Sequence, residues 1–167
     1  MTSISPLRAG LIVAALHLAI VGSLGGKLLV DRATRPRVWA RTAPVDPNLP
    51  IRGRYVQLRI DAALEPGQES GTWMSDGHLA LVDRNGRLAA VKSEDASTHY
   101  GSVFARDGER VVRLNQPIAY FIPEHAADPS RRPPGEELWV EVTIPQRGAP
   151  RPIRLGVRKD GQLTPLD

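Results

Sequence analysis

The sequence predicts a mainly β fold, an antiparallel barrel or sandwich of short strands, preceded by one N-terminal transmembrane helix. Three observations support this. Residues 9–26 carry no formal charge, seven to nine short β-type runs with turn residues between them follow, and no amphipathic helical pattern appears after residue 36. We therefore divide the chain into a membrane anchor with its juxtamembrane segment, residues 1–36, and a β-rich domain, residues 37–167.

The apolar segment from Leu7 to Val30 is long enough to span a bilayer, which takes roughly 20 residues. A cleaved signal peptide is the alternative, but its apolar core usually covers only about 7–15 residues. We expect an uncleaved anchor, with Pro36 ending its helix.

Within the anchor, small residues would let a second helix approach closely. We expect a face for a membrane partner formed by Gly22, Gly25 and Gly26 together with His17. An ionisable residue inside a membrane segment is a functional candidate by default. We nevertheless favour a neutral imidazole at His17 over a proton-handling group.

The basic residues that follow the anchor are Arg32, Arg35, Arg37 and Arg41. They are expected to contact anionic lipid headgroups. The excess of arginine on this side would place the domain in the cytoplasm, although long domains translocate largely regardless of such charges. The net charge of the whole chain is only +4, and we expect no nucleic-acid partner.

The β-domain begins with a strand around residues 55–60, in which Val56, Leu58 and Ile60 should face the core. Asn85-Gly86 lies between two apolar runs and predicts a hairpin. A second hairpin is expected around Asp107-Gly108, a third joins residues 138–144 to 153–157, and Asp160-Gly161 predicts a further turn. Residues 117–121 are compatible with a strand or a short helical turn.

The chain has no cysteine, which excludes disulfides, thiolate metal sites and cysteine nucleophiles. His78, His99 and His125 lack the spacing of a zinc site. Lys92 and Ser93 are adjacent, but acidic neighbours would keep that lysine charged and unable to act as a base. We expect no metal, no cofactor and no enzymatic activity, and a hydrolase is a distant possibility.

Two motifs carry a resemblance to a known family. The first is Gly53-x-Tyr55-x-x-Leu58, which follows the lead-in Pro44-Val45-Asp46-Pro47, and the second is Tyr120-Phe121-Ile122-Pro123-Glu124. With the apolar N-terminus, they resemble the GDYXXLXY family of bacterial membrane-anchored proteins. Arg54 replaces the acidic residue of the family motif and Ile60 replaces its final tyrosine. The resemblance implies an inner-membrane, single-pass protein with a periplasmic domain, but it implies no activity.

The motif residues have two interpretations. They could be scaffold, in which Asp46 accepts backbone N–H groups, the tyrosine rings are buried and Arg54 pairs with Glu124. They could instead line a ligand groove near Tyr55 and Tyr120. The full set of candidates is Asp46, Gly53, Arg54, Tyr55, Leu58, Tyr120 and Glu124.

We expect a non-catalytic accessory subunit that contacts membrane lipid and a membrane protein partner. The alternative is a membrane-tethered binding module for a small ligand or an envelope polymer. The residues alone identify neither the ligand nor the partner, and they leave the oligomeric state open.

Overall fold

The computed structural model describes residues 5–45, 55–67, 77–93, 99–123, 127–146 and 148–166. The chain divides into two compact units, Met1–Arg35 and Pro36–Asp167. The first unit is helical and the second is a β-domain, so the described chain is mainly β with one N-terminal apolar helix.

Helix α1 spans Pro6–Thr34, which is 29 residues. Pro6 lies in the first turn, where its missing N–H leaves no hydrogen bond unmade. At the other end the Arg35 N–H donates to the Asp31 carbonyl at 3.0 Å, and Pro36 follows. None of the helical residues is buried, and the helix is long and apolar enough to cross a membrane. A signal sequence near the N-terminus would have the same length and composition.

The β-domain contains ten strands in its described residues, one more than the upper limit predicted. They are β1 Arg37–Pro44, β2 Tyr55–Leu64, β3 Gly77–Arg84, β4 Arg87–Lys92, β5 His99–Arg106, β6 Glu109–Leu114, β7 Ile118–Phe121, β8 Glu136–Thr143, β9 Arg151–Lys159 and β10 Gln162–Pro165. Residues 118–121 are therefore a strand, which settles the alternative left open by the sequence.

The strands form one sheet in the order β10-β9-β8-β1-β4-β3-β5-β6-β2-β7. The described sheet ends at β10 on one side and at β7 on the other, so it is not closed and is sandwich-like rather than a barrel. Short parallel pairings join β4 to both β1 and β2. These pairings fold the sheet back on itself around a shared core.

Strand β2 is the centre of this arrangement because both of its edges are paired along their length. One edge contacts β7 and then β6, while the other contacts β1 and then β4. Its first six residues alternate between exposed and buried, as predicted. Leu58 and Ile60 are fully buried, and each burial stabilises the fold by roughly 1.5–3 kcal/mol.

The predicted hairpins are confirmed. The β3–β4 turn has positive φ at Asn85 (53°) and Gly86 (77°), as a tight turn matched to strand twist requires. The same pattern recurs at Asp107-Gly108 between β5 and β6, and at Asp160-Gly161 between β9 and β10. Strands β8 and β9 form the third predicted hairpin, with an irregularity between Glu141 and Val142.

Candidate functional site

The two motif tyrosines lie on neighbouring strands but face opposite sides of the sheet. In the β2–β7 pair, Tyr55 is opposite Phe121, and Val56 is opposite Tyr120. Directly opposed residues share a face, so Tyr120 lies on the core side with Val56 and packs against the core. The register therefore does not support the alternative interpretation, in which Tyr55 and Tyr120 line one groove.

Tyr55 instead belongs to an exposed aromatic pair. Its ring meets the Phe121 ring edge-on, with 5.5 Å between centroids. The side chains are 54% and 56% exposed, and they are the exposed large hydrophobic residues of the β-domain in its described part. The scaffold interpretation, which buries this tyrosine, does not hold at Tyr55.

The remaining motif residues divide into core positions and positions outside the described residues. Leu58 is fully buried, as is Ile60, where the family motif has tyrosine. Both side chains are structural. Asp46, Gly53, Arg54 and Glu124 lie outside the described residues, and so does the proposed pairing of Arg54 with Glu124.

On α1, the predicted partner face is only partly formed. Gly22 and Gly26 are one helical turn apart, and an added Cβ at either position would meet nothing within 4 Å. Around the helix, Gly25 lies about 60° from Gly22 and about 100° from Gly26, and His17 lies about 180° from Gly26. A partner face that includes both His17 and Gly26 stays a prediction. The His17 Nδ1 lies 2.8 Å from the Val13 carbonyl, a bond made within the helix.

A second candidate site, which the motifs did not indicate, is a cleft in the β-domain. Its volume is about 610 Å³, and its lining is rich in arginine, carboxylate and tryptophan side chains. The walls come from β1, β2, β4, β5, β6, β8 and β9 together with hairpin turns. Its charged and aromatic lining includes Trp39, Arg41, Asp61, Arg87, Arg106, Asp107, Glu137, Trp139 and Arg158.

At the floor of the cleft, Asp61 binds two arginines. Its side chain is 1% exposed; Oδ2 lies 2.8 Å from Arg106 Nη1, and Oδ1 lies 2.8 Å from Arg113 Nε. Arg113 also donates through Nη2 to Oδ2 at 2.9 Å. The hydrogen bond to Asp61 raises the pKa of Arg113 above its usual value. Two guanidinium groups therefore balance the negative charge of Asp61.

Beside this group, Arg41 joins two carboxylates. It donates through Nη1 to Asp107 at 2.7 Å and through Nη2 to Glu137. The hydrogen bond and charge of Arg41 lower the pKa of Asp107 below its usual value. The Arg41 guanidinium therefore has two partners within the β-domain, and the contact of the juxtamembrane arginines with lipid headgroups stays a prediction.

The tryptophans of the cleft are covered by arginines. Arg87 and Arg158 lie over the Trp139 ring, with Cζ at 5.4 and 5.2 Å from its centroid. Arg154 lies over the Trp39 ring at 5.5 Å. A Cβ at Gly156 would come within 2.8 Å of the Trp39 ring, so β9 needs glycine where this ring crosses it.

The sequence contained a partial indication of this cleft. Trp39 continues the short apolar run that opens the β-domain, and it is half-buried beside Arg154. Asp61 directly follows the predicted strand, and a charged residue continuing an apolar run indicates a buried ion pair. Its partners come from β5 and β6, more than 40 residues away, so local pattern could not identify them.

Among the described residues, no group of three or more His, Asp or Glu side chains is arranged to hold a metal ion. Lys92, considered as a possible base, is exposed. The cleft itself presents guanidinium and carboxylate groups, which can recognise ionic groups.

Comparison with known proteins gives one match. No curated protein and no solved structure matches the chain. The profile of the family described as "GDYXXLXY protein" matches residues 18–155, which covers most of the chain. The match extends from within α1 to β9 and includes both motifs noted in the sequence. The chain therefore belongs to the GDYXXLXY protein family.

Proposed function

We propose that this protein is a single-span, inner-membrane accessory subunit whose β-domain lies in the periplasm and whose partner is a membrane protein. The proposal rests on the exposed apolar surface of helix α1. Its apolar side chains are exposed around the whole circumference, which in water would be a large unfavourable hydrophobic surface. A bilayer removes that cost.

The small residues of α1 support a helical partner within the membrane. Gly22 and Gly26 form a small-xxx-small pair on one side of the helix, which allows two backbones to approach closely. The exposed Tyr55–Phe121 pair supports a second contact outside the membrane, since aromatic side chains are enriched in protein interfaces. The two contacts together would hold the domain next to its partner.

The helix contact is tested by purification of the tagged chain in mild detergent, followed by identification of co-purified proteins. Replacing Gly26→Leu should abolish co-purification of the membrane partner, because the larger side chain blocks close approach. Gly10→Leu is the matched control: it makes the same change in the same helix, on the side away from Gly26. Equal loss in both variants, or a wild-type chain that purifies alone, contradicts the proposal.

The domain contact is tested by a photocrosslinking amino acid placed at Phe121 in cells. We expect a crosslink to the same membrane protein, and none from the same group at Asn85, an exposed hairpin position. Crosslinks from Asn85 alone would move the contact to the β3–β4 turn. Crosslinks from neither position would leave α1 as the proposed interface and refute the aromatic one.

A further inference from the structure

The cleft of the β-domain contains two arginines that the protein fixes in place without neutralising them. Arg87 begins β4 directly after the Asn85-Gly86 turn, and Arg158 lies near the end of β9. Both guanidiniums lie over the ring of Trp139, which is only 4% exposed. Stacking of this kind orients a guanidinium while leaving its N–H groups free to donate.

No carboxylate among the described residues forms an ion pair with either arginine. The nearest acidic residue by register is Glu137, which is directly opposite Arg158 in the β8–β9 pair. Both of its oxygens are already used: Oε1 accepts from Arg41, and Oε2 accepts from Trp139 Nε1 at 3.1 Å. Glu137 therefore has other partners, and its contacts include no ion pair with Arg158.

The other charges of the cleft largely cancel. Asp61, Asp107 and Glu137 are matched by Arg41, Arg106 and Arg113. Glu136 is paired with Lys159 and Arg132. Two further lining carboxylates, Glu109 and Asp160, are exposed at hairpin ends, where water screens their charge. Arg87 and Arg158 remain as the cations available to a ligand.

A further donor lies in the same cleft. Arg41 Nε is buried and has no hydrogen-bond partner among the described residues. Buried donors are nearly always satisfied in folded proteins, so each exception calls for an explanation. A bound acceptor is the explanation that also accounts for the two unpaired arginines.

We propose that Arg87 and Arg158 form a binding site for the carboxylate or phosphate group of a small anionic ligand. Guanidinium groups bind such anions through paired, charge-assisted hydrogen bonds. A cleft of about 610 Å³ is large enough for a small-molecule ligand. The proposal is independent of the accessory role, because it concerns neither α1 nor the Tyr55–Phe121 surface.

The test uses the full chain in neutral lipid nanodiscs, titrated with citrate and with inorganic phosphate at constant ionic strength. Tryptophan fluorescence and calorimetry report binding. Saturable binding of at least one anion is expected, and Arg87→Gln and Arg158→Gln should each weaken it by about tenfold or more. Thermal unfolding of each variant shows that it is folded.

Arg154→Gln is the matched control. Arg154 also lies over a tryptophan, but it is already paired with Glu141 at 2.8 Å, so its loss should change affinity less than about twofold. Equal weakening by all three substitutions would indicate nonspecific charge attraction and overturn the proposal. Absence of saturable binding by either anion, or unchanged affinity in Arg87→Gln and Arg158→Gln, would also overturn it.

The anionic group could belong to a soluble molecule or to a lipid headgroup, and a second arm separates these sources. The titration is repeated in nanodiscs that contain phosphatidylglycerol. If the headgroup competes for this site, the lipid should weaken the apparent affinity of the wild type for the soluble anion. The residual affinity of Arg158→Gln for the same anion should not change. Unchanged binding would identify a soluble ligand.

Discussion

Asp61 illustrates at the scale of one residue how this domain handles charge. Its carboxylate is almost completely buried, yet Arg106 and Arg113 neutralise it. Removing one partner of a buried ion pair leaves the other charge uncompensated. At the floor of the cleft, the two arginines rather than water therefore compensate the charge of Asp61.

Asp61→Asn should lower the free energy of unfolding by on the order of 3 kcal/mol. This value lies at the lower end of the losses seen when one partner of a buried ion pair is removed, because both arginines are partly exposed. Urea denaturation monitored by circular dichroism measures this change. Asp107→Asn is the control, since this carboxylate also pairs with an arginine but is 70% exposed, and it should have a smaller effect. Equal effects would show that burial does not determine the contribution of these pairs.

His99 provides a pH dependence. Burial lowers the pKa of His99 from its usual value of 6.5, so the folded protein binds this proton less readily than the unfolded chain. Protonation of the unfolded chain then favours unfolding, and stability falls as pH decreases below about 6.5. Above that pH the group is neutral in both states and has no effect.

His99→Gln should therefore reduce the loss of stability between pH 7 and pH 5. The measurement is the midpoint of urea denaturation at each pH, compared with the wild type. A variant whose midpoint falls as steeply as that of the wild type would show that other groups cause the pH dependence.

At the scale of the element, the β3–β4 hairpin depends on its turn. Gly86 has φ of 77°, and its N–H donates to Asp83 Oδ1 at 2.8 Å. Its carbonyl accepts from the Trp39 N–H at 2.8 Å, which joins the turn to β1. The turn therefore helps to position both Arg87 and Trp39.

Gly86→Ala should destabilise the domain by about 1–3 kcal/mol, because alanine is strained at this φ. Asn85→Gly should be nearly neutral or slightly stabilising, since glycine adopts positive φ freely. Thermal unfolding of both variants tests this pair. Equal destabilisation by the two substitutions would contradict the assigned turn geometry.

The sequence predicted the elements whose determinants are local. Asn85-Gly86, Asp107-Gly108 and the alternation of residues 55–60 each specify their own structure. The pairing of β1 with both β8 and β4 depends on contacts distant in sequence, and that pairing creates the cleft. Trp139 was assigned correctly to a strand, but its two stacked arginines come from β4 and β9. The candidate site was therefore not predictable from local pattern.

At the scale of the whole molecule, the chain combines an apolar helix with a charged β-domain. Two features of the sequence disagree about the side of the membrane on which the domain lies. The arginines after the helix favour the cytoplasm, while the family resemblance implies the periplasm. Arg41 forms ion pairs with Asp107 and Glu137 of the β-domain. It is therefore weaker evidence for a cytoplasmic domain than its charge alone suggests.

Thiol labelling tests most directly on which side of the membrane the β-domain lies, because the chain contains no cysteine. Asn85→Cys, at an exposed hairpin turn, is treated with a membrane-impermeant maleimide in cells whose cytoplasmic membrane is intact. Ser3→Cys, which precedes the apolar segment in the sequence, is the control. We expect position 85 to react in intact cells and position 3 to react only after permeabilisation. Labelling of position 85 only after permeabilisation would place the domain in the cytoplasm and contradict the proposal of a periplasmic accessory subunit.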